Sequence, residues 1–241
     1  MEGMIFAAGL GTRLRPLTDD RPKALVELGG RTLLERVIRR MRDAGVGRIV
    51  VNVHHFAGQV REFLRHRGYL EQGVVISDES SGLLDTGGGL LKARGYFTPG
   101  EPVLVHNVDI LTNFDLRDLI AAHRGYYATL LVQEAKEEGR GVRFNADGVL
   151  KGWENTLTGE QKKVDEGFAV SRRYNFCGVQ IVSPEFMANM QGSGSFSIID
   201  EYLEQAKRHE IRMFLCPGFC MDVGTPEALR EAERLEVAGR F

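Results

Sequence analysis

The sequence predicts an α/β fold in which helices cover both faces of a doubly wound, mostly parallel sheet. In the first half of the chain, short apolar strands alternate with amphipathic helices, which is the pattern of βαβ units. The strands are continuous apolar runs, as is typical of parallel strands that are buried on both faces. After residue 127 the pattern changes to antiparallel strands, which we interpret as insertions on the same sheet.

The first half contains the alternation that predicts the parallel sheet. Residues 4–8 form an apolar strand ended by Gly9, and residues 9–22 lack periodicity and predict a long ordered loop. Apolar residues at helical spacing predict a helix from Thr32 until Gly45 ends it. The other predicted strands are 48–53, 74–77 and 103–108, and the other predicted helices are 56–64, 87–94 and 116–123.

The second half predicts antiparallel strands and shorter helices. Residues 145–148, Asn-Ala-Asp-Gly, predict a hairpin turn between strands at 141–144 and 149–153. There is neither a linker nor an internal repeat, so we expect one domain over residues 1–241. Further strands are predicted at 128–133 and 174–182, and helices at 184–190, 198–207 and 226–237.

Composition and charge exclude several classes of protein. The chain has 31 Lys and Arg against 33 Asp and Glu, so it lacks the basic field that nucleic acids or anionic membranes require. A hydrophobic fraction of 43% argues against a disordered chain. No apolar run is long enough to span a membrane, and the first residues do not resemble a signal peptide. We therefore expect a cytoplasmic protein that binds neither nucleic acid nor membrane.

The loop after the first strand gives the strongest indication of function. Residues 9–18 read Gly-Leu-Gly-Thr-Arg-Leu-Arg-Pro-Leu-Thr, and a Pro-Lys pair ends the loop at Lys23. Gly9 and Gly11 allow backbone N–H groups to approach an anion, while Arg13 and Lys23 add positive charge. The loop fits neither the dinucleotide fingerprint nor the P-loop, which need a third glycine and Gly-Lys-Ser/Thr respectively. The alternative is an ordinary glycine-rich turn with solvated charges.

The whole stretch resembles the nucleotide-binding loop of the sugar-1-phosphate nucleotidylyltransferases. The resemblance continues through residues 25–35 and reaches Asp-Val-Gly-Thr-Pro-Glu at 222–227. It implies a Rossmann-like nucleotidyltransferase fold in which residues 1–127 mainly bind nucleotide and residues 128–241 mainly bind sugar. The implied partners are a nucleoside triphosphate and a sugar 1-phosphate, and a homo-oligomer stays open.

In the reaction that the resemblance implies, a sugar 1-phosphate attacks the α-phosphorus of an NTP with Mg²⁺ as cofactor, and pyrophosphate leaves. Arg13 and Lys23 are the implied catalytic groups, since they can neutralise the reacting phosphates. Asp109 and Asp222 match the family's metal ligands, and two carboxylates with phosphate oxygens suit Mg²⁺. Nucleotide contacts are implied for Ala8, Gly9, Gly11, Thr12, Arg13, Thr86 and Gly87, and sugar contacts for Trp153, Glu154 and Asn175.

Some of these residues also have a purely structural interpretation. Asp222 precedes a helix-start pattern, so it could cap a helix. Trp153 could pack in a core, and Asn175 could belong to a strand-edge turn. One position departs from the family, because Val108 stands where relatives commonly have glycine before the metal aspartate. The three cysteines, Cys177, Cys216 and Cys220, predict neither a disulfide framework nor a zinc site.

Residues 84–89 and the short length resemble the branch that contains N-acetylmuramate-1-phosphate uridylyltransferase and heptose- or mannose-1-phosphate guanylyltransferases. The sequence does not choose between uracil and guanine. A nucleotide-sugar-binding regulatory protein without catalysis is a second hypothesis, although it would not need both metal carboxylates. A cytidylyltransferase that uses phosphocholine is a third, but it would need an aromatic cage, for which Trp153 is the main candidate.

Overall fold

A ten-stranded mixed sheet runs through both halves of the chain in the computed structural model, which describes residues 1–135 and 138–239. Two pairs of short strands lie outside this sheet. Along the chain the strands are β1 (Glu2–Phe6), β2 (Glu27–Leu28), β3 (Arg31–Thr32), β4 (Ile49–Val53), β5 (Val74–Asp78), β6 (Val103–Asn107), β7 (Ile110–Thr112), β8 (Ala128–Glu134), β9 (Arg140–Phe144), β10 (Leu150–Asn155), β11 (Glu160–Lys163), β12 (Arg172–Val182), β13 (Ile211–Leu215) and β14 (Cys220–Asp222).

Four parallel strands form the core of the sheet in the order β6-β1-β4-β5. Both β1 and β4 are buried at every position, as their continuous apolar runs predict. The chain winds outward from β1 to β5 and then returns to place β6 on the other side of β1. The carboxyl end of β1 is therefore a topological switch point, the place where open α/β sheets bind their ligands.

The second half joins this core through β12, which is antiparallel to both β6 and β8. Beyond the end of β6, β12 also pairs with β9, and β9, β10 and β11 form an antiparallel meander. The predicted hairpin turn is present, with the N–H of Gly148 donating to the carbonyl of Asn145 at 3.0 Å. The predicted antiparallel insertions are thus confirmed, whereas the edge strands β11 and β13 were not predicted.

Helices cover both faces of the sheet, which confirms the doubly wound prediction. Successive β1 residues, Met4 and Ile5, are both fully buried but belong to separate hydrophobic clusters on opposite faces. The cluster of Ile5 contains residues of α1, α2, α4 and α7, and that of Met4 contains residues of α3, α5 and α6. The helices are α1 (Leu33–Asp43), α2 (Ala57–His66), α3 (Asp85–Ala93), α4 (Leu116–His123), α5 (Pro184–Asn189), α6 (Ile198–Gln205) and α7 (Pro226–Val237).

Most helix starts follow local signals, with two exceptions. Thr32 caps α1, since its hydroxyl accepts from the N–H of Glu35 at 3.1 Å. Helix α2 instead follows Phe56, which has a φ of 56° and provides no side-chain cap. Helix α3 starts at Asp85 rather than at Gly87, so its three consecutive glycines lie inside the helix rather than at its start. Within residues 1–135 and 138–239, no helix is long and apolar enough to cross a membrane.

Candidate active site

A cavity of about 330 Å³ lies at the carboxyl ends of β1 and β6 and reaches the first turn of α3. A larger cavity of about 580 Å³ lies beside α6 but contains none of the predicted site residues, so size alone does not locate the site. The cavity at the switch point is lined by Phe6, Ala7, Ala8, Gly9, Lys23, Asn52, Leu83, Asp85, Thr86, Asn107, Val108, Asp109 and Ser195.

The loop between β1 and Lys23 is fixed by an internal hydrogen bond and by one buried side chain. Gly11 adopts a left-handed conformation, with φ of 67°, and its carbonyl accepts from the Thr18 hydroxyl at 2.8 Å. A Cβ at this position would lie 3.0 Å from the Thr18 methyl carbon, which adds a steric reason for glycine. Leu14 is fully buried and anchors the loop in the core. The predicted phosphate contacts Gly9, Thr12 and Arg13 stay exposed.

Lys23 and Asp109 form an ion pair at the charged end of the cavity. The ammonium group of Lys23 donates to the Asp109 carboxylate, and the two side chains are only 12% and 13% exposed. Burial raises the pKa of Asp109 against the opposing effect of Lys23, and the Asp222 carboxylate raises it further. An ionised Asp109 is therefore costly unless positive charge stays close to it.

Asp222 reaches the same place through β14. This strand pairs with β7, which follows Asp109, and the N–H of Val223 donates to the Asp109 carbonyl at 2.9 Å. Arg13 Nη2 donates to Asp222 Oδ2 at 3.1 Å. Although burial works against ionisation, the Arg13 hydrogen bond and the charge of Lys23 lower the pKa of Asp222. Two carboxylates and two cations thus meet at the switch point.

The structure decides against a capping role for Asp222. Helix α7 is capped by Thr225, whose hydroxyl accepts from the Ala228 N–H at 3.2 Å. Asp222 Oδ1 instead accepts from the Gly224 N–H at 2.7 Å. A Cβ on Gly224 would lie 2.6 Å from Arg13 Nη2 and 2.7 Å from Asp222 Oδ1, so the glycine lets the two charged groups meet.

The two acids fit a hard divalent cation. Besides burial, the Asp222 carboxylate raises the pKa of Asp109, and both acids offer carboxylate oxygens. Among the described residues there is no group of three or more His, Cys, Asp or Glu that could hold a metal ion. An ion here would therefore take its remaining ligands from substrate and water, which is the usual arrangement for Mg²⁺. Val108, the position that departs from the family, is buried, and its N–H donates to the Phe6 carbonyl at 3.1 Å.

The other end of the cavity is formed by the start of α3 and residues 192–198. The N–H of Gly87 donates to the Phe196 carbonyl at 2.9 Å, and the Thr86 hydroxyl accepts from the Ile198 N–H at 2.9 Å. A Cβ on Gly88 would lie 2.2 Å from the Gly194 carbonyl oxygen. The glycines therefore allow close packing of two segments. The Gly87 amide, predicted to contact the nucleotide, is engaged within the protein, whereas the Thr86 hydroxyl keeps its proton for a ligand.

Several cavity residues were not predicted from the sequence. Asn52 is a polar residue near the carboxyl end of an apolar strand, and this position is the signal that could have identified it. Asp85 is a non-glycine residue in the left-handed region, with φ of 57°, which is typical of strained functional positions. Ser195 has no local signal, because packing of residues 192–198 on α3 brings it to the cavity.

The three predicted sugar contacts lie outside this cavity and do not share one face. Trp153 and Glu154 are neighbours in β10, so their side chains point to opposite faces of the sheet. Trp153 packs against the cluster of Met4, with Lys162 Nζ 5.5 Å from its ring centre. The Glu154 carboxylate is buried and accepts from Arg143 Nη1 at 2.9 Å. Asn175 is half-buried, and its carbonyl lies 3.8 Å from Cys177 Sγ.

Comparisons with known proteins show the family of this chain. The family model described as the MobA-like NTP transferase domain matches residues 3–184. The chain belongs to this family.

Relatives over nearly the full chain are nucleotidyltransferases by name. An N-acetylmuramate alpha-1-phosphate uridylyltransferase of Caulobacter vibrioides is 35% identical over 95% of this chain and 94% of its own. A mannose-1-phosphate guanylyltransferase catalytic subunit beta of Dictyostelium discoideum is 30% identical over 94% of this chain but only 62% of its own. A solved UDP-glucose pyrophosphorylase of Acinetobacter baumannii covers 98% of this chain and 93% of its own with a TM-score of 0.79, and its 16% identity shows the fold alone.

These findings confirm the predicted family and the predicted class of enzyme. Nucleotidyltransferases of this kind generally use a divalent metal ion. The comparisons favour neither the regulatory protein nor the phosphocholine cytidylyltransferase that the sequence left open.

Proposed function

We propose that this protein transfers a nucleoside monophosphate from UTP or GTP to a sugar 1-phosphate and releases pyrophosphate. The observation that carries the proposal is the cluster of Lys23, Asp109, Asp222 and Arg13 at the switch point of the sheet. Two carboxylates can bind a divalent ion, and two cations can bind phosphates. The named activities of the relatives support this assignment.

In this proposal Asp109 and Asp222 hold Mg²⁺, which supplies charge stabilisation to the reacting phosphates when it is bound. Lys23 and Arg13 contribute further positive charge, Lys23 from a buried position and Arg13 from the exposed loop. The exposed Gly9 and Thr12 offer backbone N–H groups to the triphosphate. No nucleophile of the protein is needed, since phosphoryl-type transfer depends on positioning and electrostatics.

We further propose that the strands of the second half bind the sugar, with Asn175 as the contact that the geometry favours. Asn175 is half-buried and follows Arg173 and Tyr174 along β12 beyond the end of β6. Glu154 can act on a sugar only from within its pair with Arg143. Trp153 is the weaker candidate, because it packs against the cluster of Met4 on the opposite face of β10 from Glu154.

The direct test is a panel of the four ribonucleoside triphosphates against several sugar 1-phosphates with Mg²⁺. We expect pyrophosphate only when all three components are present, with UTP or GTP as the preferred nucleotide. Choline phosphate serves as the acceptor control. Tight nucleotide binding without any pyrophosphate would contradict the proposal and favour the regulatory hypothesis.

Replacing Gly224 by Ala should lower kcat/KM by about tenfold or more without unfolding the protein. The added methyl group would force apart Arg13 and Asp222, which meet at 3.1 Å. A displacement of this kind beside reacting groups is costly to catalysis. Stability should fall by only about 1 kcal/mol, since the pair is exposed and Thr225 still caps α7.

Initial rates of pyrophosphate release and thermal unfolding measure the two effects. Gly58→Ala in α2 is the matched control, because a Cβ there has no neighbour within 4 Å. Equal activity of the two variants would show that the close approach at Gly224 has no role in the reaction.

A further inference from the structure

Two buried polar side chains, Asn52 and Glu79, lie beneath the end of the cavity that is formed by α3. Asn52 is 2% exposed and Glu79 is 0% exposed. Asn52 borders the cavity, while Glu79 follows β5 and has no part in the mechanism proposed above. Burying a carboxylate in this way is costly, so its hydrogen bonds indicate what it does.

These two side chains connect the two walls of the cavity through a chain of hydrogen bonds. The N–H of Ala7 donates to Asn52 Oδ1 at 2.7 Å, and Asn52 Nδ2 donates to Glu79 Oε1 at 2.8 Å. The N–H of Leu84 donates to Glu79 Oε2 at 3.4 Å. Ala7 precedes the loop that is predicted to bind the triphosphate, and Leu84 precedes the first residue of α3.

The surrounding backbone is built around this pair. A Cβ on Gly89 would lie 2.9 Å from both Asn52 Nδ2 and Glu79 Oε1, so glycine lets α3 approach the pair closely. On the far side, the Leu84 carbonyl accepts from the Phe196 N–H at 3.2 Å. The Leu84 peptide group is therefore held at both its donor and its acceptor.

Burial raises the pKa of Glu79, while the hydrogen bonds from Asn52 and Leu84 act in the opposite direction. An apolar pair of the same size would avoid this conflict, but it could not accept from the Leu84 amide or satisfy the Ala7 amide. The polar pair therefore gives a defined spacing that apolar packing would leave variable.

We propose that Asn52 and Glu79 are positioning residues that set the width of the nucleotide cavity by linking Ala7 to Leu84. This inference rests on the proposed function, because it takes the nucleotide as the occupant of the cavity. Neither side chain needs to touch the reacting phosphates. The pair acts through the two backbone segments that it joins, and so on nucleotide binding rather than on the sugar.

The direction of each hydrogen bond allows a precise test. In Glu79→Gln an amide NH₂ group replaces one carboxylate oxygen. Either the Asn52 amide or the Leu84 N–H then faces a donor instead of an acceptor. Asn52→Asp places a second carboxylate against Glu79. The double variant N52D/E79Q reverses the central bond, so that Gln donates to Asp and still accepts from the Leu84 amide, and the Ala7 amide keeps its acceptor.

We expect each single variant to raise the KM for UTP or GTP about tenfold, since each leaves a buried polar group unsatisfied. The KM for the sugar 1-phosphate should change less than twofold, and the double variant should recover most of the lost nucleotide affinity. Glu2→Gln is the matched control, because Glu2 is a buried carboxylate at the amino end of β1, away from the cavity, and accepts from the Thr98 N–H at 2.7 Å. It should lower thermal stability but not change the nucleotide KM.

Two outcomes would overturn the proposal: a double variant no better than the single variants, or equal changes of KM for both substrates. Calorimetric titration of UTP and GTP into the same variants separates this proposal from the proposed function. If the wild type binds nucleotide and the double variant restores that binding, the positioning role stands even when no sugar 1-phosphate reacts.

Discussion

Replacing Asp109 by Asn should lower kcat at least a thousandfold, which corresponds to about 4 kcal/mol of transition-state stabilisation. The substitution removes one of the two carboxylates proposed to hold the metal ion and leaves the shape of the site unchanged. The melting temperature should change little, because two effects oppose each other. Burial and the Asp222 carboxylate both disfavour the charge on Asp109 in the folded protein, so a neutral isostere removes an unfavourable term. Lys23 loses its charged partner, but the Asn side-chain oxygen can still accept from it and its charge still acts on Asp222.

The measurement is turnover by pyrophosphate release together with thermal unfolding. Asp147→Asn, in the exposed turn between β9 and β10, changes the net charge equally and should have no effect on either quantity. Undiminished turnover of Asp109→Asn would refute the metal assignment. A loss of turnover accompanied by a large fall in melting temperature would show that Asp109 serves the fold instead.

The second large effect is expected from Lys23→Met, which should lower both activity and stability. Removing one preorganised charge near reacting phosphates costs roughly a hundredfold in kcat/KM. The variant also leaves the buried Asp109 carboxylate without its ion-pair partner, which costs on the order of 3 kcal/mol. For a chain of this size, that is a fall in melting temperature of about 6–12 °C.

Arg13→Met is the natural comparison, because Arg13 binds the other acid but is 61% exposed. We expect a similar loss of kcat/KM with little change in stability, since exposed ion pairs contribute about 1 kcal/mol or less. Pyrophosphate release and thermal unfolding of both variants, measured side by side, check this contrast. Full activity of either variant would contradict its role as a phosphate-binding cation.

The elements that could be predicted from the sequence are those whose pattern reflects burial in the sheet. The apolar runs of β1, β4 and β6 result from their position between two layers of helices, and the periodicity of α1 results from burial of only one of its faces. The short strands β7 and β14 carry no such pattern, because each has three residues and pairs with a partner far along the chain. Their pairing is nevertheless what brings Asp222 to Asp109.

The start of α3 shows the limit of local propensity. Three consecutive glycines predict a helix that begins with them, since glycine is unfavourable in a helix interior. The helix instead begins at Asp85 and has all three in its interior, where residues 192–198 and the pair of Asn52 and Glu79 approach so closely that side chains would clash. Tertiary packing at this point overrides an intrinsic cost of about 1 kcal/mol for each glycine.

A residue of the candidate site could be predicted where it belongs to a recognisable sequence motif. It could not be predicted where only contacts between distant segments bring it to the site. Arg13, Lys23, Asp109 and Asp222 were identified by chemistry and resemblance, and the structure brings all four together. Ser195 depends on a segment that meets α3 only in the folded chain. Trp153 and Glu154 stay predictions for the sugar site, and as neighbours in β10 they point to opposite faces of the sheet.

Two acids and two cations at the switch point are proposed to bind a metal–triphosphate complex. The most direct test is a crystal structure with Mn²⁺ and a non-hydrolysable analogue of UTP or GTP, with the ion located by anomalous scattering. We expect an anomalous peak bound by Asp109 and Asp222, with the triphosphate against residues 9–13 and Lys23. A peak elsewhere, with the triphosphate outside this cavity, would contradict this proposal.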